Sequence, residues 1–426
     1  MLYKINYRYP KISHNATISV FLNIIEFFLF MDQYVLVLNC GSSSIKFAII
    51  DAKTGTAPLH GLAENLGTAS SRLGFNFQNK RHNGELSANA NHQQALVVIA
   101  DTLKQFEHLS QQIVAVGHRV VHGGEMFTHS TLIDDQVKHA IEQTSLMAPL
   151  HNPANLAGIN SAQTSFPHLP HVAVFDTAFF QTMPKHAYLY ALPYELYQQH
   201  NIRRFGFHGT SHYFVAHETA NALKKELPNC NLITAHLGNG CSIAAIRQGK
   251  AIDTSLGFTP LEGLVMGTRC GDIDPSLPSY LIEQVGYTAS EVSKLLNNKS
   301  GLLGISKLSN DCRTLEQHVK EGNQQAKLAL DMFIYRLVKY IGAYLAVVGP
   351  LDALVFTGGI GENSAYIREN TINQLKHLGL ELDANKNLHM RFGQSGLISH
   401  TRSKPIFAIA TNEEWVIAKD AMQFIH

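Results

Sequence analysis

One local pattern occurs twice in this chain, about 200 residues apart, and it constrains the fold more than any other feature. Tyr34-Val35-Leu36-Val37-Leu38 reads as a buried strand and ends in Asn39-Cys40-Gly41-Ser42-Ser43-Ser44-Ile45-Lys46. It continues into a second apolar run, Phe47-Ala48-Ile49-Ile50-Asp51. Leu232-Ile233-Thr234-Ala235-His236-Leu237 repeats the pattern, with the turn Gly238-Asn239-Gly240 leading into Cys241-Ser242-Ile243-Ala244-Ala245-Ile246. Glycine lets a backbone approach a ligand closely, hydroxyls and amides donate hydrogen bonds, and Lys46 adds charge, so the turn suits an anion. A single turn of this kind also serves many purely structural hairpins. Two copies imply two related halves facing one cleft. A third glycine turn, Thr357-Gly358-Gly359-Ile360-Gly361-Glu362-Asn363, follows the strand-like Ala353-Leu354-Val355-Phe356 and precedes a predicted helix, a geometry that suits a phosphate at a helix N-terminus.

Further strand-like runs stand at 113–117, 171–175 and 406–409, with helical patterns between several of them, so the chain reads as α/β layers. The longest helical pattern covers about Gln324 to Val348, with Leu328, Met332, Tyr335 and Val338 or Lys339 in register. Its second half is apolar nearly all round, which predicts a buried helix stopped by Gly349-Pro350. At 426 residues the chain is long for one core, and two domains are expected. The boundaries read as 1–30 for an N-terminal extension and 31–180 for a first domain, completed by a C-terminal helix at about 412–426. The second domain then covers 181–411.

Composition excludes several classes. With 45% hydrophobic residues, 16% charged residues and a formal charge of +1, nothing suggests disorder or a nucleic-acid partner, while a local cationic pocket for small anions stays open. Cys40, Cys230, Cys241, Cys270 and Cys312 lack CxxC spacing and point to a reducing cytoplasm. Histidine is abundant, at 23 residues, and His118/His122 and His208/His212 are spaced i, i+4. The zinc-protease pattern needs Glu after the first His, however, where this chain has Arg119 and Gly209; Gly209 also weakens a helix that would align the second pair. The apolar run Ile18–Phe30 is short for a membrane span, is broken by Asn23 and Glu26, and has no small-residue cleavage site after it. The preferred expectation is an upstream start with the fold beginning near Met31; the alternative is a membrane anchor.

The familiar nucleotide motifs are missing: no GxxxxGK[ST], no early GxGxxG, no kinase catalytic loop and no GxSxG elbow. A nucleotide would instead lie between hairpins of two domains. Five polar clusters accompany the hairpins: Gly117-His118-Arg119-Val120-Val121-His122-Gly123-Gly124, Phe175-Asp176-Thr177-Ala178-Phe179, Phe205-Gly206-Phe207-His208-Gly209-Thr210-Ser211-His212, Gly267-Thr268-Arg269-Cys270-Gly271-Asp272-Ile273-Asp274-Pro275 and Thr411-Asn412-Glu413-Glu414. With these motifs, in this order, the chain resembles the acetate kinase family from about Met31 to its C-terminus. Cys270 departs from the serine usual there, and Cys40 stands where small residues vary.

The resemblance implies two duplicated actin-like (ribonuclease H-like) domains, as in Hsp70 and the sugar kinases, closing on ATP. It implies direct in-line transfer of the γ-phosphoryl group to acetate, giving acetyl phosphate and ADP. Mg²⁺ is the implied cofactor, with Mn²⁺ as a substitute, and a homodimer is the implied assembly. By resemblance Arg119 binds acetate, Arg269 and His208 stabilise the transferring group, and Asp176 has an acid/base role. Asn39 and Glu413 match the magnesium positions. Ser42, Ser44 and Lys46 form the phosphate side, and nucleotide contacts fall at His236, Leu237, Gly238, Asn239, Gly240, Asp311, Cys312, Arg313, Gly359, Ile360, Gly361, Glu362 and Asn363. Val121, Leu150, Phe207 and Pro260 align with the methyl-binding residues. Propionate kinases tend to carry a smaller residue at the Val121 position, so Val121 favours acetate.

The chemistry of the residues supports these roles independently. Carboxylate attack on a phosphate brings two anions together, so the site needs fixed positive charge, which Arg119 and Arg269 supply. Acetate is already ionised at pH 7 and needs no base. Asp176 therefore reads better as orienting an arginine, or holding Mg²⁺ through water. Two other classes compete: an actin- or Hsp70-like ATP-driven binding protein, and a metal hydrolase built on the histidines. Carboxylate-dependent ATP consumption separates the first from a kinase, and zinc that survives dialysis would mark the second.

Overall fold

The computed structural model describes residues 33–149 and 151–425. Leu150, and the N-terminal run with Ile18–Phe30 and Met31, lie outside the described residues.

The strands are β1 (Tyr34–Gly41), β2 (Ser44–Asp51), β3 (Leu59–Glu64), β4 (Arg72–Phe77), β5 (Lys80–Gly84), β6 (Ile113–Val120), β7 (Thr131–Leu132), β8 (His171–Phe175), β9 (Leu232–Leu237), β10 (Cys241–Arg247), β11 (Lys250–Thr254), β12 (Ala353–Thr357), β13 (Gly396–Leu397) and β14 (Ile406–Ala408). Among the described residues they form an eight-stranded sheet, β5-β4-β3-β2-β1-β6-β8-β7, and a six-stranded sheet, β11-β10-β9-β12-β14-β13. Within each sheet one five-strand order recurs. β3-β2-β1 are antiparallel and β1-β6-β8 parallel; β11-β10-β9 are antiparallel and β9-β12-β14 parallel. This is the duplicated actin-like arrangement, and the two repeated hairpins are its first two strands in each copy.

Both faces of β1 are covered, which is why it reads as a continuous apolar run rather than an alternating one. Leu36 and Leu38 pack with Leu96 and Ile99 of the helix His92–Lys104. Val35 and Val37 pack on the opposite side with Ile417, Ala418 and Ala421 of the C-terminal helix Glu413–Met422. Gly117 permits that approach: a Cβ there would sit 2.5 Å from Ile417 Cγ2. On the second sheet the helix Gly209–Ala222 takes the corresponding position, with Val215 and Ala216 against Leu232, Ile246, Ala353 and Val355. These two helices meet across the cleft, where the Phe214 and Trp415 rings lie 6.0 Å apart.

Three expectations change. The long helix runs from Gln324 to Val348 as predicted, but it is not wholly buried. Its inward row is Leu330, Phe333, Ile334, Leu337, Ile341 and Tyr344, while Leu328, Met332 and Tyr335 face solvent. Two apolar rows compete on this helix, and the row chosen from spacing is the outer one. The third glycine turn precedes a helix, Ala365–Asn373, as expected, but is itself helical over Gly358–Asn363. Gly358 needs its positive φ of 74° and its missing side chain, because a Cβ would lie 2.8 Å from the Leu237 carbonyl oxygen. Finally, Gly209 does not disrupt a helix but begins one, with His208 as its N-cap residue in the left-handed region.

Candidate active site

The site lies at the C-terminal ends of the parallel strands, where α/β sheets commonly bind ligands. Asn39 is near the end of β1 and pairs in register with Lys46 on β2; Arg119 is near the end of β6, and Asp176 follows β8. Arg119 donates Nε to Asp176 Oδ1 at 3.1 Å, Nη2 to Oδ2 at 2.5 Å and Nη1 to Asn39 Oδ1 at 3.3 Å. Thr210 donates to Glu413 at 2.9 Å and lies 3.5 Å from Asp176. One connected network thus joins both halves of the chain. A cavity of about 560 Å³ holds Asn39, Lys46, Arg119, His208, His236 and Glu413 in its wall.

Burial pushes the Asp176 carboxyl above the ordinary carboxylate range, against the pull of Arg119 and with help from Glu413. Burial would lower Arg119, but Asp176, Glu413 and Glu414 outweigh it and hold the guanidinium above its usual value. The bidentate pair is an oriented cation beside its own anion. Arg269 differs. Its Nη1 donates to the Pro260 carbonyl at 3.1 Å, and among the described residues it has no carboxylate partner. Burial lowers its pKa, weakly opposed by Cys241, yet a guanidinium stays charged at any working pH. Its charge is therefore left for a ligand.

Both arginines act on two imidazoles. His208 is held well below its ordinary value by burial, then by His236, Arg119, His212 and Arg269. His151 is pushed down to about 4 by burial, then by Arg269 and Arg119. A Cβ on Gly240 would sit 3.4 Å from His208 Nε2 and 3.5 Å from Arg269 Nη1, so this glycine opens the meeting point of these two groups. Val121 and Phe207 are buried in one cluster with Leu264 and Met266, and Pro260 is tied to Arg269. Leu150, the fourth methyl-pocket candidate, lies outside the described residues.

A second cavity, of about 590 Å³, brings together Gly238, Asn239, Asp311, Cys312, Arg313, Gly359, Ile360 and Asn363 with Asn310, Arg391 and Phe392. Asp311 caps the helix Cys312–Lys320 and chelates Arg313, whose side chain is 87% exposed. Some candidates stand elsewhere. Leu237 turns its side chain into the core, because the alternation of β9 sends it away from His236. Glu362 lies in the wall of the first cavity, where its carboxylate accepts from Gly358 N at 3.0 Å and Thr411 N at 3.1 Å. Gly361 is buried against the backbone of Phe356. His236 joins His208 in the first cavity, their rings stacked at 4.3 Å. Ser42 and Ser44 stand at the tip of the first hairpin, outside the lining of that cavity. Lys46 is 63% exposed and paired with Glu414 at 2.9 Å.

Asn39 and Glu413 offer hard oxygens. Among the described residues no three His, Cys, Asp or Glu side chains converge on a metal position. A partial oxygen set of this kind fits Mg²⁺, which keeps waters and takes substrate phosphates as ligands. Cys40 is buried against Gly158, where a Cβ would meet its sulfur at 2.3 Å, and burial pushes the thiol up to about 12. It is an inert packing residue.

Sequence reasoning missed His151, Thr210 and Asn155. Thr210 sits inside a polar cluster already singled out, and His151 follows Leu150 directly. Asn155 gave no signal; it accepts from Val121 N at 3.0 Å and donates to the Cys40 carbonyl at 2.7 Å, tying the segment after β6 to the first hairpin.

Buried neutral histidines predict an acid-labile fold. Burial, then His171, depresses His118; burial, then Arg203, takes His122 down to about 4; burial, then His236, depresses His212. Unfolding releases them to about 6.5, so the unfolded state binds more protons below that pH. Their contribution is complete above pH 6.5 and is lost progressively as pH falls below it, toward about 4 for His122, at up to about 1.4 kcal/mol per pH unit for each histidine. Urea midpoints measured from pH 7 to pH 4.5 should fall steeply; a flat profile would contradict neutral burial.

Paired arginines, neutral imidazoles and a partial oxygen set, placed between duplicated glycine hairpins, define the site of a phosphotransferase. The chain belongs to the acetokinase family, whose model matches residues 34–419. It is 55% identical over 395 residues to an acetate kinase of Shewanella loihica, covering 92% of this chain and 99% of that one. Among solved structures, a propionate kinase from Francisella tularensis is 46% identical with a TM-score of 0.88, and Porphyromonas gingivalis acetate kinase is 44% identical with a TM-score of 0.88. Each comparison covers 92% of this chain and 100% of the other.

Proposed function

We propose that this chain is an acetate-directed kinase, transferring the γ-phosphoryl group of ATP reversibly and in line to the acetate carboxylate, with acetyl phosphate and ADP as products. One observation carries the reading: two guanidiniums act on one small region, Arg119 aligned by Asp176 and Arg269 without a carboxylate partner. Two anions can meet only where fixed positive charge offsets their repulsion.

In this reading Arg119 holds the acetate oxygens and Asp176 holds Arg119. Asp176 moves no proton, since the nucleophile is already an anion. Arg269 and His208 donate to the equatorial oxygens of the transferring group, whose charge grows in the transition state. Asn39 and Glu413 would hold Mg²⁺, which neutralises phosphate charge when bound; Mn²⁺ would serve in its place. The nucleotide occupies the Asn239–Asp311–Gly359 cavity, with the hairpin at Ser42, Ser44 and Lys46 on the phosphate side. Residues 31–180 with the C-terminal helix act as one domain and 181–411 as the other, closing to exclude water. A homodimer and a cytoplasmic location complete the reading; the five unpaired cysteines suit a reducing compartment.

The test is a coupled ADP-release assay comparing acetate, propionate and butyrate at fixed MgATP. Acetate should give the highest kcat/KM; no stimulation by any of them would defeat the enzyme reading. The likeness to the F. tularensis propionate kinase keeps propionate as the second reading. Val121→Ala should raise the propionate-to-acetate kcat/KM ratio by about tenfold, the value of one methylene in an apolar pocket. An unchanged ratio would remove Val121 from the acyl pocket.

A further inference from the structure

Behind His208 stands a chain of buried side chains that the mechanism above does not use. Thr234 on β9, His212 on the helix Gly209–Ala222 and Ser242 on β10 are all fully buried. Thr234 Oγ1 lies 2.7 Å from His212 Nδ1, His212 Nε2 lies 2.7 Å from Ser242 Oγ, and Ser242 Oγ lies 2.9 Å from His208 Nδ1. Burial holds both histidines neutral, so each ring has one donor and one acceptor nitrogen.

If both rings donated to Ser242, its hydroxyl hydrogen would be stranded, because the two histidines are its only partners among the described residues. That leaves two directions of donation along the chain. If His208 Nδ1–H donates to Ser242, the hydroxyl of Ser242 donates to His212 Nε2 and His212 Nδ1–H donates to Thr234. The hydroxyl hydrogen of Thr234 is then stranded in the core, because among the described residues His212 Nδ1 is its one hydrogen-bond partner. Buried donors are almost always satisfied, and leaving one unmade incurs its full desolvation cost. In the opposite direction Thr234 donates to His212 Nδ1, His212 Nε2–H to Ser242, and Ser242 to His208 Nδ1. Every hydrogen inside the chain then has an acceptor, and His208 carries its proton on Nε2, the nitrogen beside Gly240 and Arg269 Nη1, where it is free to donate to a ligand. The stacked neighbour is set in the same way: Ser211, fully buried, has His236 Nδ1 at 2.8 Å as its acceptor, leaving His236 as the Nε2–H form.

We propose that Thr234, His212 and Ser242 form a one-way hydrogen-bond chain that locks His208 as its neutral Nε2–H tautomer, aimed at the phosphoryl oxygens. His208 then donates a hydrogen bond throughout the transfer and takes no proton, while the three residues behind it are positioning residues. The role of the donor rests on the kinase reading above; the tautomer does not.

The test is long-range ¹H–¹⁵N correlation on the full chain labelled at histidine, with His208 assigned by its loss in His208→Gln. Wild type should show His208 protonated at Nε2 and bare at Nδ1. Thr234→Val keeps the shape and removes the first donor. It leaves His212 Nδ1 without a partner in either direction, so the fixed direction is lost. His208 should become a mixture of the two tautomers and kcat should fall in proportion to the Nδ1–H fraction, with the KM for MgATP within about threefold. Thr234→Ser should restore both the spectrum and the rate. Nδ1–H in wild type would overturn the proposal even if the valine variant did not fold. So would a valine variant with native kcat, or one with lost kcat and an unchanged His208 spectrum. If wild type phosphorylates no carboxylate, the kinase reading falls, while the spectrum still decides the tautomer.

Discussion

Arg269→Ala is expected to lower kcat by about three orders of magnitude, equivalent to about 4 kcal/mol of transition-state stabilisation. The size follows from how this side chain is held. It is tied to a carbonyl and close to a thioether, with no carboxylate partner among the described residues, so its charge is reserved for the ligand rather than for the fold. The melting temperature should therefore stay within a few degrees of wild type, and the KM for acetate should change far less than kcat. Arg269→Lys should recover only a small part of the rate, because an ammonium lacks the planar fork that meets two phosphoryl oxygens together. Steady-state kinetics beside a thermal melt check both statements. A loss of rate matched by a large drop in melting temperature would make Arg269 a structural residue.

Asp176→Asn is expected to be the most damaging conservative change. Asp176 is fully buried and bound to Arg119 through two hydrogen bonds, and its backbone carbonyl accepts from Gly209 N at 2.9 Å. Removing one partner of such a pair leaves a buried charge uncompensated, at about 3–5 kcal/mol of stability. The released Arg119 should raise the KM for acetate by about a hundredfold, the usual effect of misplacing a positioning group. The limbs of the pH–rate profile should keep their positions, since no proton passes through this carboxyl. Loss of one limb with a native KM would restore the acid/base role instead.

What the sequence made legible and what it hid divide along physical lines. Arg119 and Arg269 stand in short glycine-flanked clusters, Asp176 follows an apolar strand and the two hairpins repeat one pattern, so each carries its own local signal. His151, Thr210, Asn155 and the Thr234–His212–Ser242 chain matter through partners far along the chain, and no spacing rule reports those. The long helix Gln324–Val348 was found, but its inward face was not, because Leu328, Met332 and Tyr335 form a second apolar row as regular as the buried one. Leu237 hides for a similar reason: it stands beside His236 in the second hairpin, but strand alternation turns its side chain into the core. Strands β3–β5 carried no reading at all, and Lys80–Gly84 shows why, having no aliphatic or aromatic core residue to mark it as a strand.

The central claim is that the paired arginines bring a carboxylate and a γ-phosphate together. Its most direct test is trapping the acyl phosphate with hydroxylamine while ADP is measured in the same reaction with MgATP and acetate. Acyl hydroxamate should appear in a one-to-one ratio with ADP and vanish when acetate is omitted. ADP released at the same rate without acetate, and without hydroxamate, would contradict the account and point to an ATP-hydrolysing binding protein on the same fold.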